Sequence, residues 1–289
     1  MTKIINYGIF AAIVLGVLFP SQGSFKILIP ILLALMLFFS FLKLDLRIRK
    51  FLRWELGVYF FIGLLILPFL VFLLTKSLDM ELRLGIFLVS ITPTAIGAPI
   101  IVDMIKGNRE LVVSNVVLYN LLSPFTYVVL LSLYFKTNAL VIPVFSILEK
   151  LVLMIFIPLF LALLFKRIIV LDSSLKKIGR VFSPFAFILV IGIAVSSASS
   201  ELRNMEMLLL LKVFVIVFLF AVVSFALGFL FSKNEKSRKA MSVVFGHKNS
   251  TLAIWIALSN FSPLVVVPMV IYVVCHHIIN GILIHRFSD

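Results

Sequence analysis

The sequence predicts an all-α polytopic membrane protein. Ten transmembrane helices form two inverted five-helix repeats, and the fourth and ninth helices are broken. Three observations predict this. Hydrophobic residues make up 63% of the 289 positions and charged residues only 13%, with a mean hydropathy of +1.24. No soluble domain of this length needs that much apolar surface. The basic residues alternate between rich and poor loops, and two helix interruptions fall at equivalent places in the two halves.

The apolar runs cover 4–19, 27–42, 56–74, 82–105, 111–135, 147–165, 181–197, 207–231, 239–258 and 264–285. Runs of roughly 17–25 residues span a hydrocarbon core of ~30 Å. The first, second and seventh are short, so they are expected to tilt or to reach into the headgroups. The first run could mimic a secretory signal. Pro20-Ser-Gln-Gly-Ser24 leads from it into another apolar run rather than a soluble domain, so it reads as a retained helix. No hydrophilic stretch is long enough for a separate domain. The chain therefore reads as one membrane transport domain over 1–289, with repeat one at about 1–140 and repeat two at about 141–289.

The net charge of +14 does not point to nucleic acid, because it lies in short loops between apolar runs. With ten spans, one side collects 18 basic residues: Lys3, Lys43, Arg47, Arg49, Lys50, Arg53, Lys106, Arg109, Lys166, Arg167, Lys176, Lys177, Arg180, Lys233, Lys236, Arg238, Lys239 and Arg286. The other side has 7: Lys26, Lys76, Arg83, Lys136, Lys150, Arg203 and Lys212. Cytoplasmic loops are Lys/Arg-rich. Both termini are therefore expected in the cytoplasm, with the chain multi-pass in the cell (inner) membrane and the lipid bilayer as its partner. Cys275 is the single cysteine. It excludes an internal disulfide and a multi-cysteine metal site, and it reads as a packing residue.

Five helices per half is an odd number, so the second half enters the membrane in the opposite sense. Lys26-Ile-Leu-Ile-Pro30 opens the second helix and Arg180-Val-Phe-Ser-Pro184 the seventh, an offset of 154 residues between the prolines. In the fourth helix Pro93 and Pro99 each remove a backbone donor, and Gly97 loosens the chain between them. The same offset carries 93–99 onto 247–253, which overlaps the polar interruption Gly246 to Thr251 of the ninth helix. A proline pair in a membrane helix often marks only a kink. The matched break, with a lysine at its centre, weighs against that reading. Interrupted helices at matching places point to a midplane binding site. Their freed N–H and C=O groups need ions, substrate, water or each other.

Lys248 is the most informative residue. A cation at the bilayer centre costs roughly 2.5–3.5 kcal/mol on insertion scales and usually faces a partner or a wet cavity. Around it, His247 either lines the cavity or packs at a helix end. Asn249, Ser250 and Thr251 either cap the second half of the ninth helix or touch substrate. Thr94, Gly97 and Pro99 are their counterparts in the fourth helix. Asn120 and Ser123, three apart on the fifth helix, either face the crossing or bond neighbouring helices. Asp103 either pairs with Lys248, takes up a proton, or sits at the cytoplasmic end of the fourth helix beside Lys106. His276 and His277 are adjacent, so they point to different faces and make a poor metal site. No metal site is assigned. The run Ser196 to Ser200 either lines a wet gap or forms a loop. No nucleotide-binding motif, catalytic set or filter loop is present, which argues against an ATP-driven pump, an intramembrane enzyme or a channel.

The stretch Gly246-His-Lys-Asn-Ser-Thr-Leu-Ala-Ile-Trp-Ile-Ala-Leu258 resembles the ninth helix of the bile acid:sodium symporter family, within the larger group that includes auxin-efflux-type carriers. Pro263 to Gly281, with Pro268, Tyr272, His276 and Asn280, resembles its tenth. Thr92-Pro93, Gly107-Asn108 and Ser123-Pro124 match its fourth and fifth. The resemblance covers the whole chain. It implies a secondary carrier of small organic anions working by alternating access. A core of helices 3–5 and 8–10, in which the broken fourth and ninth helices cross, would move against a panel of helices 1, 2, 6 and 7, usually with sodium coupling. The sequence departs from the family at the sodium ligands. A Glu is replaced by Val244, a Gln by Lys248 and a Ser-Asn pair by Ala98-Pro99, and a Ser and Thr align with Tyr119 and Ser123. The resemblance therefore implies a degenerate sodium site in which the Lys248 ammonium replaces the ion. An amine out of water also releases its proton more readily, so a proton is the other candidate coupling ion, and no further cofactor is implied. The alternative is a sodium-independent or proton-linked exporter of the auxin-efflux type. Substrate identity, direction and oligomeric state are not encoded in any motif.

Overall fold

The computed structural model describes residues 2–21, 25–42, 53–135, 142–168 and 173–287, with side chains from 7 in the first segment and from 178 in the last. The helices are α1 (Thr2–Leu18), α2 (Leu28–Phe41), α3 (Trp54–Leu74), α4 (Met80–Ile91), α5 (Ala98–Met104), α6 (Arg109–Tyr134) and α7 (Val144–Ile168). They continue as α8 (Ser173–Ser197), α9 (Ser199–Asn204), α10 (Met207–Leu230), α11 (Glu235–Gly246), α12 (Ser250–Asn260) and α13 (Val267–Phe287). Among the described residues the only extended pairing is an isolated antiparallel bridge between Thr94 and Lys248. Lys43, Arg47, Arg49, Lys50 and Lys136 of the charge pattern lie outside the described residues, as do the side chains of Lys3, Lys176 and Lys177.

Among the described residues six helices are long and apolar enough to cross a membrane: Trp54–Leu74, Arg109–Tyr134, Val144–Ile168, Ile178–Ser197, Met207–Leu230 and Pro263–Phe287. The chain is an all-helical, multi-pass membrane protein. Tyr7–Leu18 and Leu28–Phe41 are apolar but shorter. The predicted fourth span is divided into α4 and α5, and the predicted ninth into α11 and α12.

Local chemistry explains both divisions. Pro93 disfavours helical backbone at the residue before it, and Thr92 is extended at φ −68°, ψ 135°. No proline follows Gly246. There the cause is Asn249, which leaves helical geometry and accepts a bond from Leu252 N with its side chain, opening α12. Asn108 opens α6 and Asn234 opens α11 in the same way. The centre of α3, Tyr59–Ile66, is wound as a π-helix. Such segments often mark functional sites, and this one faces the break in the ninth predicted span.

Helices α1, α2, α7 and α8 pack against one another, while α10 packs on α11 and α13, α11 on α6, and α4 on α13. Two open readings from the sequence resolve here. Asp103 pairs with Arg109, not with Lys248. The serines from 196 to 200 form a helix-to-helix joint rather than a loop, with Ser196 Oγ donating to Phe19 O at 2.6 Å and Ser199 Oγ to Ser196 O at 3.0 Å.

Candidate functional site

The two breaks cross and satisfy each other. Ala95 N donates to His247 O at 2.7 Å, and Asn249 N donates to Pro93 O at 2.8 Å. Thr94 lies opposite Lys248 in the antiparallel bridge. Backbone groups freed by two interruptions thus pair without water, as a low-dielectric interior demands. Side chains tie the remaining ends. Thr94 Oγ1 lies 2.7 Å from both Val244 O and Asn115 Oδ1. Asn120 Nδ2 donates to Thr94 O at 3.0 Å, and its Oδ1 accepts from Asn249 Nδ2 at 2.9 Å. Tyr272 donates to Gly246 O at 2.8 Å.

Lys248 is only 1% exposed. Its Nζ donates to Ser90 O at 3.0 Å, a carbonyl in the last turn of α4. It also stands 5.4 Å from the centre of the Tyr59 ring. Helix C-terminal carbonyls carry partial negative charge, and an aromatic face attracts a cation. Tyr59 is itself fixed edge-on by Tyr119 and Phe245. Among the described residues no carboxylate lies within ion-pair distance of Lys248.

Beside the crossing is a cavity of about 250 Å³. Asn249, Ser250 and Thr251 form its polar end with the N-terminus of α12, beside His247, His276 and His277. Ile96, Ile100, Val116, Val117, Met36 and Phe187 supply apolar wall, and Arg109 and Arg180 also line it. Among the described residues no Asp or Glu lines the cavity.

The structure therefore brings Lys248, Asn249, His247, Ser250, Thr251, Gly97 and Pro99 to one cavity. Thr94 and Asn120 lie behind it and hold the crossing. Ser123 does not reach the crossing, because its hydroxyl donates to Asn120 O within α6. Pro93 and Gly246 sit at the break edges, where both carbonyls are occupied. The sequence reading missed Ser90, Tyr59 and Asn115. A backbone acceptor has no side-chain signature, and a tyrosine in an apolar run looks like any core aromatic. Asn280, read only as part of a family pattern, contacts His247 Nδ1 through its amide at 2.6 Å.

Broken helices that meet beside a cavity recur in solute transporters. A family model described as the SBF-like CPA transporter family matches residues 4–289, and the chain belongs to that family. It is 28% identical to the "Uncharacterized sodium-dependent transporter YocS" of Bacillus subtilis (strain 168), over 98% of this chain and 91% of the relative. It is 29% identical to the "Uncharacterized protein YbaS" of the same organism, over 71% of this chain and 69% of that protein. Family membership points to a transporter rather than an enzyme.

Proposed function

We propose that the protein is a secondary carrier of a small organic anion, of the bile acid:sodium symporter type, in which Lys248 replaces the coupling sodium. One observation carries this reading: a buried ammonium with no carboxylate partner among the described residues occupies the carbonyl end of α4 at the crossing. The positions that hold sodium ligands in the resembling family do not fit the ion here. Val244 offers only a carbonyl, already taken by Thr94. The Tyr119 hydroxyl donates to Leu56 O, the Ser123 hydroxyl stays within its helix, and Ala98-Pro99 carries no polar side chain. The cavity supports the anion class, because it combines a helix N-terminus and cationic side chains with no acid among the described residues.

In this reading the chain has ten spans, with α4–α5 and α11–α12 each counted as one broken span. The bridge supports an inverted repeat, because Thr94 and Lys248 differ by the same 154 residues that relate the two halves. Helices α1, α2, α7 and α8 form the panel. Both termini lie in the cytoplasm of the cell membrane, and the cavity, which reaches Arg109 and Arg180, faces that side. Thermal unfolding of purified protein against small organic anions in sodium and in potassium tests the reading. A sodium-dependent carrier is the second reading, favoured by the name of the relative YocS.

Alternating access requires a closed opposite face. Lys150 Nζ, on α7, donates to Ser259 O at 3.0 Å and Asn260 Oδ1 at 2.7 Å, at the far end of α12. This tie joins panel to core away from the cavity mouth. Lys150→Met removes about 1 kcal/mol of hydrogen bonding, enough for a roughly fivefold population shift toward the opposite-facing state. In a Cys275→Ser background, thiol labelling of Ser183→Cys at the cavity is expected to slow, by up to that factor where the opposite-facing state predominates. An unchanged rate shows that the tie does not gate the carrier.

A further inference from the structure

Three of the four histidines are separated in the sequence as 247 and 276–277, yet the structure clusters them. Ring centres are 4.7 Å apart for His247 and His276, 5.8 Å for His247 and His277, and 4.4 Å for His276 and His277. All three line the cavity. His276 is 1% exposed, and neither of its ring nitrogens has a hydrogen-bond partner. A buried imidazole normally finds at least one partner, so this one is open to a ligand or a proton. The other two rings are held. His277 Nδ1 lies 2.9 Å from Val273 O, which fixes its proton there and leaves Nε2 as an acceptor. His247 Nδ1 meets the Asn280 amide at 2.6 Å. The Asn280 Oδ1 is otherwise unpartnered, so turning the amide over lets it accept from His247 once that nitrogen carries a proton.

We propose that His247, His276 and His277 form a proton-binding site that fills together with the anion, so that one proton accompanies each anion through the carrier. This rests on the anion-carrier reading above. The proton adds to a ring-nitrogen lone pair from cavity water on one side and leaves to water on the other. The charges facing the cluster explain why the two would bind together. Lys248 on the break, Arg109 on α6 and Arg180 on α8 are cationic, and on α13 only the phenol of Tyr272 and the thiol of Cys275 adjoin it. The acid by the mouth, Asp103, is held by Arg109. Among the described residues, the unpaired charges that a proton entering this cavity meets are positive, whereas an anion at the α12 N-terminus supplies the missing negative charge. Phe187 of α8 stacks on His277 at 5.5 Å. The cluster therefore lies on the boundary that alternating access must open, where its charge state can bias the motion.

The experiment measures proton uptake on binding of isovalerate, whose branched apolar tail suits the Ile and Val walls. A pH-indicator dye follows uptake by the purified full chain, and thermal stabilisation reports binding. About one proton per bound anion is expected, with Kd tightening up to tenfold per unit fall in pH. In His276→Gln uptake is lost and the pH dependence of Kd flattens. Binding without proton uptake, or uptake that survives His276→Gln and disappears in Lys248→Gln, overturns the proposal while leaving the anion reading intact. Failure of isovalerate and benzoate to bind counts against the anion reading instead. A ligand-free arm then decides the cluster by NMR of histidine-labelled protein. Replacing His276 must shift the titration of His247 and His277, and independent titrations overturn the shared site.

Discussion

Lys248→Met is expected to abolish transport and to destabilise the protein by roughly 1–3 kcal/mol, the cost of stranding a buried polar partner. The methionine fills similar volume, so packing loss is small. The Ser90 carbonyl, however, loses the donor 3.0 Å away, and the Tyr59 ring loses its cation. The carbonyl end of α4 would then face the crossing with its partial negative charge uncompensated. Lys248→Gln restores a donor without the charge and should recover part of the stability but not the transport. Thermal unfolding of both variants, with uptake of a bound anion into proteoliposomes, checks this. A Lys248→Met protein as stable and as active as the parent would reduce Lys248 to a brace with no part in coupling.

Gly228→Val should be the most damaging substitution outside the site. A side chain at Gly228 runs into the backbone carbonyl of Met241. There α10 and α11 approach backbone to backbone, a contact only small residues permit in membranes. The same interface holds Ser242 Oγ on Phe225 O at 2.8 Å, and a side chain at Gly246 would strike the Phe225 ring. A carbonyl cannot swing aside as a flexible side chain can. The cost should reach the upper part of the 1–3 kcal/mol range for overpacking, or exceed it. It would also shift α11, which carries the second break. Gly57→Ala and Gly281→Ala are the controls, since nothing lies within 4 Å of either new methyl group. Melting temperatures of the three variants separate this account from general glycine sensitivity. An unchanged Gly228→Val contradicts it.

These two positions show what a sequence can and cannot reveal. Span limits are legible because apolar length is a one-dimensional property: the run read at 27–42 is the helix Leu28–Phe41, and that read at 207–231 is Met207–Leu230. The breaks are legible because Pro93, Gly97 and the polar run around Lys248 contradict their apolar surroundings. What each break touches is not. The acceptor of Lys248 is a backbone oxygen 158 residues away, and no residue type announces a carbonyl. Asp103 looked available to Lys248 by polarity alone, and only the turn at Lys106, with φ at 55°, and the start of α6 give it Arg109 instead. The π-helical winding at Tyr59 is equally hidden, because its sequence is as apolar as any helix. The histidine cluster needs α13 folded against the second break, and spacing along the chain argues against it.

The central claim is that a tethered ammonium stands where related carriers hold an ion. Its most direct test is the anion-induced shift in melting temperature of the purified protein, measured in sodium and in matched potassium. A ligand that binds only the folded state raises stability by mass action. Equal shifts in the two salts are the predicted result. A shift that requires sodium would mean that an ion site survives among these residues, and it would contradict the assignment of Lys248 as the built-in cation.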